Sequence, residues 1–225
     1  MLSPDNTIEY KEIKNIIFDL DGTLIDSAPS ILGAFKQVLE QFSYAPIRPL
    51  NSDLIGPPLK QTLQLISGES DPEKLTLLVE AFKSSYDNHA YALSTSYDGI
   101  GEILQHLSRD NKNLHIATNK RLAPTQKIIQ LFEWEKYFQS VYAIDKAAPA
   151  YLNKAHMLES IMADLKLQSD HCLYVGDRLE DDVAARENAM PFIYVNWGYG
   201  PGDDQTQHLQ VAKDPNELFL LLHGQ

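Results

Sequence analysis

The sequence predicts an α/β fold, a doubly wound parallel sheet covered by helices, with a smaller all-helical domain inserted into it. Short apolar runs, typical of buried parallel strands, alternate with stretches whose apolar residues recur every three or four positions. Between the first and second runs, about ninety residues of helical spacing replace a crossover of about a dozen. An insertion of that length indicates a second domain.

Five apolar runs are predicted as strands, in chain order 15–20, 114–118, 140–144, 172–176 and 192–196. Helices are predicted between and after the later runs, at 100–107, 125–132, 155–165, 182–188 and 217–222. Because strands alternate with helices, the chain is expected to form βαβ units with parallel strands.

The inserted stretch is predicted to contain helices at 31–42, 59–66 and 73–91, separated by proline and glycine positions. The chain leaves the sheet just after Asp21 and returns near residues 97–99, so these two segments are the expected hinges. We assign residues 1–26 and 97–225 to the α/β core domain and residues 27–96 to the helical domain.

Composition and charge exclude several classes of partner. The 225 residues are 44% hydrophobic and 22% charged, an ordinary globular composition, and the formal net charge is −12. That charge disfavours non-specific binding to nucleic acid or to anionic membranes. A single cysteine, Cys172, fits a reducing compartment. The sequence shows neither a bilayer-spanning apolar run nor a basic-then-apolar N-terminus, so we expect a cytoplasmic protein.

Polar residues of three distinct kinds follow the predicted strands. The first strand ends in Asp19 and Asp21, the second in Thr118-Asn119-Lys120, and the fourth is followed by Asp177. Ligands in open parallel sheets bind beyond the carboxyl ends of the strands. The three groups are therefore expected to meet in one crevice.

The gathered carboxylates are oxygen ligands for a hard cation, and Mg²⁺ is the expected cofactor. Asp19 and Asp177 are predicted as direct ligands, Asp181 as a residue that orients a metal-bound water, and the main-chain carbonyl of Asp21 as a further ligand. A bound cation would offset the repulsion between Asp19 and an incoming phosphate.

The same residues predict phosphoryl chemistry. Asp19 would attack phosphorus, and Asp21 would protonate the leaving oxygen and later deprotonate the attacking water. Thr118 and a lysine, assigned below, are predicted to stabilise the phosphoryl oxygens. Residues predicted to contact substrate are Gly22, Thr23, Asn119, Lys120, Gly56 and Lys60.

These residues resemble the motifs of the haloacid dehalogenase superfamily. Residues 19–24 (Asp-Leu-Asp-Gly-Thr-Leu) resemble its first motif, residues 117–120 its second and residues 175–181 its fourth. The helical insertion is similar to the superfamily's C1 cap, and residues 55–59 and 197–200 look like those of phosphoglycolate phosphatase-like members. The resemblance covers roughly residues 14–223. It implies a Rossmann-like three-layer sandwich, Asp19 as nucleophile, Asp21 as general acid/base, a Mg²⁺ cofactor and an aspartyl-phosphate intermediate.

The third motif is where the sequence departs from the family. Its Lys-Pro-x-Pro segment is missing, and two lysines compete for the role. Lys154 lies 23 positions before Asp177 and precedes a predicted helix, so we assign it as the catalytic lysine. Lys146, 31 positions before Asp177, is the alternative. Arg178 stands where the family often has a small hydroxyl residue, and it is expected to narrow the pocket or to contact substrate.

The expected function is a Mg²⁺-dependent, phosphoglycolate phosphatase-like hydrolase of a small phosphorylated metabolite. A phosphomutase of the β-phosphoglucomutase type would share every motif, and a dehalogenase would use Asp19 without Mg²⁺. A non-catalytic binding module is a further alternative. Phosphoglycolate, sugar phosphates, nucleotides and pyrophosphate stay open as substrates, and the sequence does not give the oligomeric state.

Overall fold

The computed structural model describes residues 12–201, 206 and 209–223. In this part of the chain the strands are β1 (Asn15–Phe18), β2 (Ile25–Asp26), β3 (Thr95–Ser96), β4 (Asn113–Thr118), β5 (Phe138–Ala143), β6 (Cys172–Gly176), β7 (Phe192–Val195) and β8 (Gln210–Ala212). The α-helices are α1 (Ala28–Gln41), α2 (Leu59–Ser67), α3 (Pro72–Asn88), α4 (Ile100–Arg109), α5 (Leu122–Leu131), α6 (Lys154–Leu165), α7 (Leu179–Glu187) and α8 (Pro215–Leu222).

The main sheet confirms the predicted fold class. Among the described residues it has six strands in the order β5-β4-β1-β6-β7-β8, and every pair is parallel. Strand β1 lies between β4 and β6, so the first apolar run of the sequence is central in the sheet. All four residues of β1 are buried, as expected for a strand covered on both faces.

Helices cover both faces of this sheet. Ile16 and Phe18 of β1 belong to the hydrophobic core that contains α4, α5 and α8. Ile17, which points to the opposite face, packs in a second core with residues of α6 and α7. The arrangement is a three-layer, Rossmann-like sandwich.

The helical segment, residues 28–93, has a hydrophobic core of its own. Side chains of α1, α2 and α3 form this core, among them Phe35, Leu63 and Phe82. A small antiparallel pair, β2 with β3, joins the two chain crossings between the segment and the sheet. Residues 25–26 and 95–96 thus pair at the place where the sequence predicts hinges.

Several predicted boundaries are wrong. Helices α1, α5 and α7 begin three residues earlier than predicted, since their first turns carry little of the apolar periodicity. The predicted helix 73–91 ends at Asn88, because His89 leaves helical geometry (φ −142°, ψ −52°) and a 3₁₀ turn follows. Strand β8 escaped prediction because it has only three residues.

Each helix in the described part of the chain is too short or too polar to cross a lipid bilayer. The expectation about the N-terminus concerns mainly residues 1–11, which lie outside the described residues.

Candidate active site

Three neighbouring strands bring the predicted site residues to one edge of the sheet. Asp19 directly follows β1, Thr118 ends β4, and Asp177 directly follows β6. Because β4 and β6 flank β1 in parallel register, their carboxyl ends lie side by side. A backbone hydrogen bond from Asp19 N to the Val175 carbonyl oxygen, 2.9 Å, extends the β1–β6 pairing to Asp19.

A triad of buried carboxylates lies at this edge. One carboxylate oxygen each of Asp19, Asp177 and Asp181 lie within 4.8 Å of one another, and all three residues are buried. Asp181 belongs to the first turn of α7, where its Oδ2 accepts from Arg178 N (3.1 Å) and its Oδ1 accepts from the Tyr174 hydroxyl (3.0 Å). A helix N-terminus favours the negative charge of Asp181.

Lys154 is the cation of this triad. Its Nζ lies 2.6 Å from Asp19 Oδ1 and 3.1 Å from Asp181 Oδ1, and its side chain is 8% exposed. It is the first residue of α6, which Asn153 caps by accepting a hydrogen bond from His156 N. Lys146 instead lies over the Tyr142 ring, 3.4 Å from its centre. Of the two candidate lysines, Lys154 is the one that reaches Asp19.

Burial and mutual repulsion perturb these carboxyl groups. Desolvation, reinforced by the charges of Asp19 and Asp181, raises the pKa of Asp177 to about 8. Burial raises the pKa of Asp19 to about 6, against the opposing effect of Lys154. Burial alone would lower the pKa of Lys154, but Asp181 and Asp19 raise it well above its ordinary value. One ammonium thus stands among three buried carboxyl groups.

This donor set fits Mg²⁺. Its ligands would be hard carboxylate oxygens that lie close together, and the two cations near them in the described chain, Lys154 and Arg178 (Nε 3.9 Å from Asp177 Oδ2), are fewer than the three carboxyl groups. A divalent cation would relieve the repulsion that raises the pKa of Asp177.

Asp21 is paired with Lys120. Lys120 Nζ donates to both carboxylate oxygens of Asp21, at 2.8 and 2.9 Å, and lies 4.8 Å from the centre of the Tyr86 ring on α3. Burial alone would lower the pKa of Lys120, but the charge of Asp21 raises it overall. Lys120 therefore connects Asp21 to the helical segment.

Two residues of the first motif lie against Asp177 and are absent from the cavity wall. Thr23 Oγ1 donates to Asp177 Oδ1 (3.3 Å). Gly22 has φ +88°, and a Cβ there would lie 2.2 Å from Asp177 Oδ2. Their contacts are with a carboxylate of the triad, which differs from the substrate contacts that the sequence suggested.

Tyr199 was missed as a functional candidate, although the sequence singled out residues 197–200 as family-like. Its backbone N donates to Asp177 Oδ2 (2.7 Å), and its hydroxyl accepts from Ser27 N (2.7 Å) and Ala28 N (2.9 Å). The hydroxyl also lies 2.7 Å from Asp26 Oδ1, to which it donates. One tyrosine thus joins the acidic triad to the start of α1.

A cavity of about 930 Å³ opens above the site, between the sheet edge and the helical segment. Asp19, Asp21, Thr118, Asn119, Lys120, Lys154, Asp181, Arg178 and Gly56 line it. Arg178 Nη2 donates to the carbonyl oxygens of Ile55 (2.6 Å) and Ser52 (3.3 Å), so it holds the loop that carries Gly56. Lys60 is exposed on α2 and does not line the cavity, so its position gives no support to the predicted substrate contact.

Comparisons with known proteins agree with this geometry. The family model described as Haloacid dehalogenase-like hydrolase matches residues 16–195. A tyrosine-protein kinase, PtkA of Mycobacterium tuberculosis, is 32% identical over 201 residues, covering 88% of this chain and 67% of that protein. A phosphoglycolate phosphatase of Nitrosospira multiformis is 30% identical over 202 residues, covering 85% of this chain and 87% of the relative.

A solved structure from Clostridium acetobutylicum, described as a predicted phosphatase, superposes with a TM-score of 0.82 at 26% identity. The match covers 95% of this chain and 99% of that one. The match over residues 16–195 covers β4, β6 and all but the first residue of β1, together with the polar residues at their carboxyl ends, so the chain belongs to the haloacid dehalogenase-like hydrolases.

Proposed function

We propose that this chain is a Mg²⁺-dependent phosphatase that hydrolyses a small phosphorylated metabolite through an aspartyl-phosphate on Asp19. The observation that carries the proposal is the buried triad of Asp19, Asp177 and Asp181 with Lys154 bonded to two of its members. A buried carboxylate can approach an anionic phosphate only where positive charge offsets their repulsion. Lys154 supplies part of that charge at Asp19, and a bound cation would supply the rest.

The prediction that the chain is a hydrolase of the phosphatase type is confirmed. The family is one of hydrolases, and relatives and solved structures of similar chains are named phosphatases. The substrate and the choice of Mg²⁺ belong to the proposal.

In the proposed site, Asp19 and Asp177 would hold Mg²⁺, with Asp181 beside them. When bound, the cation would offset the negative charge of the phosphoryl oxygens and of the attacking carboxylate. Lys154 adds a fixed positive charge at Asp19 Oδ1, and Thr118 provides a buried hydroxyl to a phosphoryl oxygen. The Thr118 oxygen already accepts from Lys120 N (3.1 Å), which leaves its proton available to donate.

In the first step, a carboxylate oxygen of Asp19 attacks phosphorus and the bond to the ester oxygen breaks. Asp21, on the cavity wall, would enter this step protonated, with one of its two hydrogen bonds from Lys120 released, and would donate that proton to the departing oxygen, so the product leaves as an alcohol. Lys120 keeps the Asp21 carboxyl group at the cavity through its two hydrogen bonds. Lys120 is therefore proposed to position Asp21, in addition to the substrate contact expected from the sequence.

In the second step, Asp21 takes a proton from water as the water attacks the phosphorus of the aspartyl-phosphate. The acyl phosphate bond breaks, inorganic phosphate leaves, and Asp19 is again a carboxylate. Residues 27–96 are proposed to act as a cap that excludes bulk water during these steps and opens for product release.

The test is release of inorganic phosphate from a panel of phosphorylated metabolites, measured with malachite green with and without Mg²⁺. Asp19→Asn is expected to keep the fold and to lose at least about a thousandfold in turnover. Asp182→Asn is the matched control, because Asp182 lies in the same turn as Asp181 but pairs with Arg186 at 2.6 Å.

Unchanged turnover in Asp19→Asn would overturn the proposal. Phosphate release that survives EDTA would refute the Mg²⁺ dependence, whereas release of halide from a haloalkanoic acid in EDTA, without phosphatase activity, would identify a dehalogenase. Transfer of phosphate to a second hydroxyl without free phosphate would identify a phosphomutase.

A further inference from the structure

We propose that the alcohol released by this enzyme is mainly apolar and carries no second negative charge, so that its substrates are alkyl or aryl phosphate monoesters. This inference rests on the proposed phosphatase function and specifies its substrate class. It departs from the expectation of phosphoglycolate, whose leaving group, glycolate, carries a carboxylate.

The first observation is the chemistry of the wall opposite the triad. Three aromatic residues of the helical segment line it, with Phe35 and Phe82 ring centres 4.7 Å apart and Phe82 stacked on Tyr86 at 5.6 Å. The other lining residues of this segment in the described chain are Ile31, Leu54, Ile55, Gly56, Pro57, Pro58 and Leu59. Tyr86 is thus the one residue on this described wall whose side chain has a hydrogen-bonding group.

A polyol or sugar would meet this wall at a cost. Its hydroxyl groups would lose water and find few side-chain partners there, which disfavours binding. An alkyl chain or an aromatic ring would instead gain from burial against the same surface. The cavity, at about 930 Å³, is also much larger than a two-carbon acid requires.

The second observation is that, among the described residues, the four cationic side chains that line the cavity already have partners. Lys154 is bonded to Asp19 within the proposed phosphate site, and Lys120 to Asp21. Arg121 forms a two-pronged ion pair with Asp87, at 2.5 and 2.7 Å.

The fourth lining cation, Arg178, donates to the carbonyl oxygens of Ser52 and Ile55. Glu180 and Glu187 add negative charge to the same wall. A carboxylate or a second phosphate on the leaving group would therefore have to displace an existing partner or lie unpaired near these acids.

The test measures kcat/KM of the wild-type enzyme, with Mg²⁺ present, for four substrates. They are propyl phosphate, hexyl phosphate, the phosphate ester of 6-hydroxyhexanoate, and phosphoglycolate. Hexyl phosphate and the hexanoate ester have leaving groups of similar reactivity and differ in one distal charge. We expect about fourfold gain per methylene, hence about sixtyfold from propyl to hexyl phosphate. We expect the terminal carboxylate to cost at least about tenfold.

A pair of variants locates the effect. Val183 lines the cavity on α7 and is 45% exposed, whereas Leu77 on α3 is 57% exposed and away from the cavity. Val183→Lys is expected to reduce the preference for hexyl phosphate over the hexanoate ester, because it adds a positive charge to the cavity wall beside Glu180 and Glu187 of the same helix. Leu77→Lys, the matched control, is expected to leave that preference unchanged.

The outcomes separate the two proposals. If phosphoglycolate or the hexanoate ester is hydrolysed better than hexyl phosphate in an Asp19-dependent reaction, the apolar substrate class is wrong while the phosphatase stands. If none of the four esters releases phosphate but another member of the metabolite panel does so in an Asp19-dependent way, the apolar substrate class is again wrong and the phosphatase stands. If no member of the panel does, the phosphatase proposal fails and the inference fails with it.

Discussion

Replacing Lys154 by methionine tests the electrostatics of the acidic triad without reference to catalysis. The substitution keeps most of the side-chain volume and removes the ammonium that lies 2.6 Å from Asp19 and 3.1 Å from Asp181. The side chains of all three residues are at most 8% exposed, so water cannot replace the lost charge. Removing one partner of a buried ion pair costs about 3–5 kcal/mol of unfolding free energy, and that is the expected loss at pH 8 without metal.

The matched control is Lys83→Met. Lys83 Nζ lies 2.7 Å from Glu80, nearly the same separation, but the two side chains are 35% and 62% exposed. Exposed pairs contribute at most about 1 kcal/mol, so this variant is expected to lose no more than that. Because the two ion pairs have nearly the same N–O distance, the difference between the two variants in the free energy of unfolding measures the effect of burial.

The pH dependence gives a second, independent outcome. The raised pKa of Lys154 keeps the wild-type ammonium charged throughout pH 5–8. In the variant, the pKa of Asp19, already raised by burial to about 6, loses the effect of the cation that lowers it. A carboxyl group whose pKa is raised on folding stabilises the protein at low pH and loses that contribution as the pH rises. The loss caused by Lys154→Met is therefore expected to be smaller at pH 5 than at pH 8.

Urea unfolding followed by circular dichroism, with EDTA present, measures these quantities. A loss below about 1 kcal/mol at pH 8, equal to that of Lys83→Met, would refute the reasoning. A loss that grows toward pH 5 would refute it as well.

Three further predictions concern Asp177 and its surroundings. Mg²⁺ is expected to bind more tightly at pH 8.5 than at pH 6.5 and to release protons on binding. The reason is that the pKa of Asp177, raised to about 8, leaves that group protonated at the lower pH. Titration calorimetry in two buffers would contradict this if it showed neither effect. Tyr199→Phe is expected to cost about 1–3 kcal/mol in chemical denaturation, since Ser27 N loses the acceptor 2.7 Å away, and an unchanged midpoint would mean that another group replaces it. Gly200→Ala is expected to lower the free energy of unfolding by about 1–3 kcal/mol or more, because its Cβ would lie 1.8 Å from the Asp177 carbonyl oxygen. Gly33→Ala, in open space on α1, is expected to raise it by up to about 1 kcal/mol. Equal effects of the two substitutions would contradict both expectations.

The sequence was sufficient to predict that Asp19, Thr118 and Asp177 meet at one edge of a parallel sheet, although it did not give the order of the strands. Each of these residues stands at the end of an apolar run, and parallel strands bring such ends to one edge. Local pattern carries that information, so no long-range contact had to be known. The same holds for the helical insertion, whose length alone separates it from the sheet.

The rest depended on contacts that sequence spacing does not encode. Spacing favoured Lys154 over Lys146, but the contact itself depends on the start of α6, which places Lys154 at Asp19, whereas Lys146 follows β5 and lies over the Tyr142 ring. Tyr199 lies 172 positions from Ser27, and no local periodicity signals their hydrogen bond. The apolar lining that the helical segment contributes to the cavity could not be predicted either, because its residues on α1 and α3 have the spacing of ordinary core positions.

The contacts of Arg178 and Tyr199 also limit how this protein can be recombined with its relatives. Both residues lie far along the chain from the helical segment, yet Arg178 binds the carbonyl groups of its 52–55 loop and Tyr199 binds its first backbone amides. A chimaera that transplants residues 27–96 alone would carry neither partner. Grafting the helical segment of a relative onto this core domain therefore requires that the loops containing residues 178 and 199 be exchanged as well.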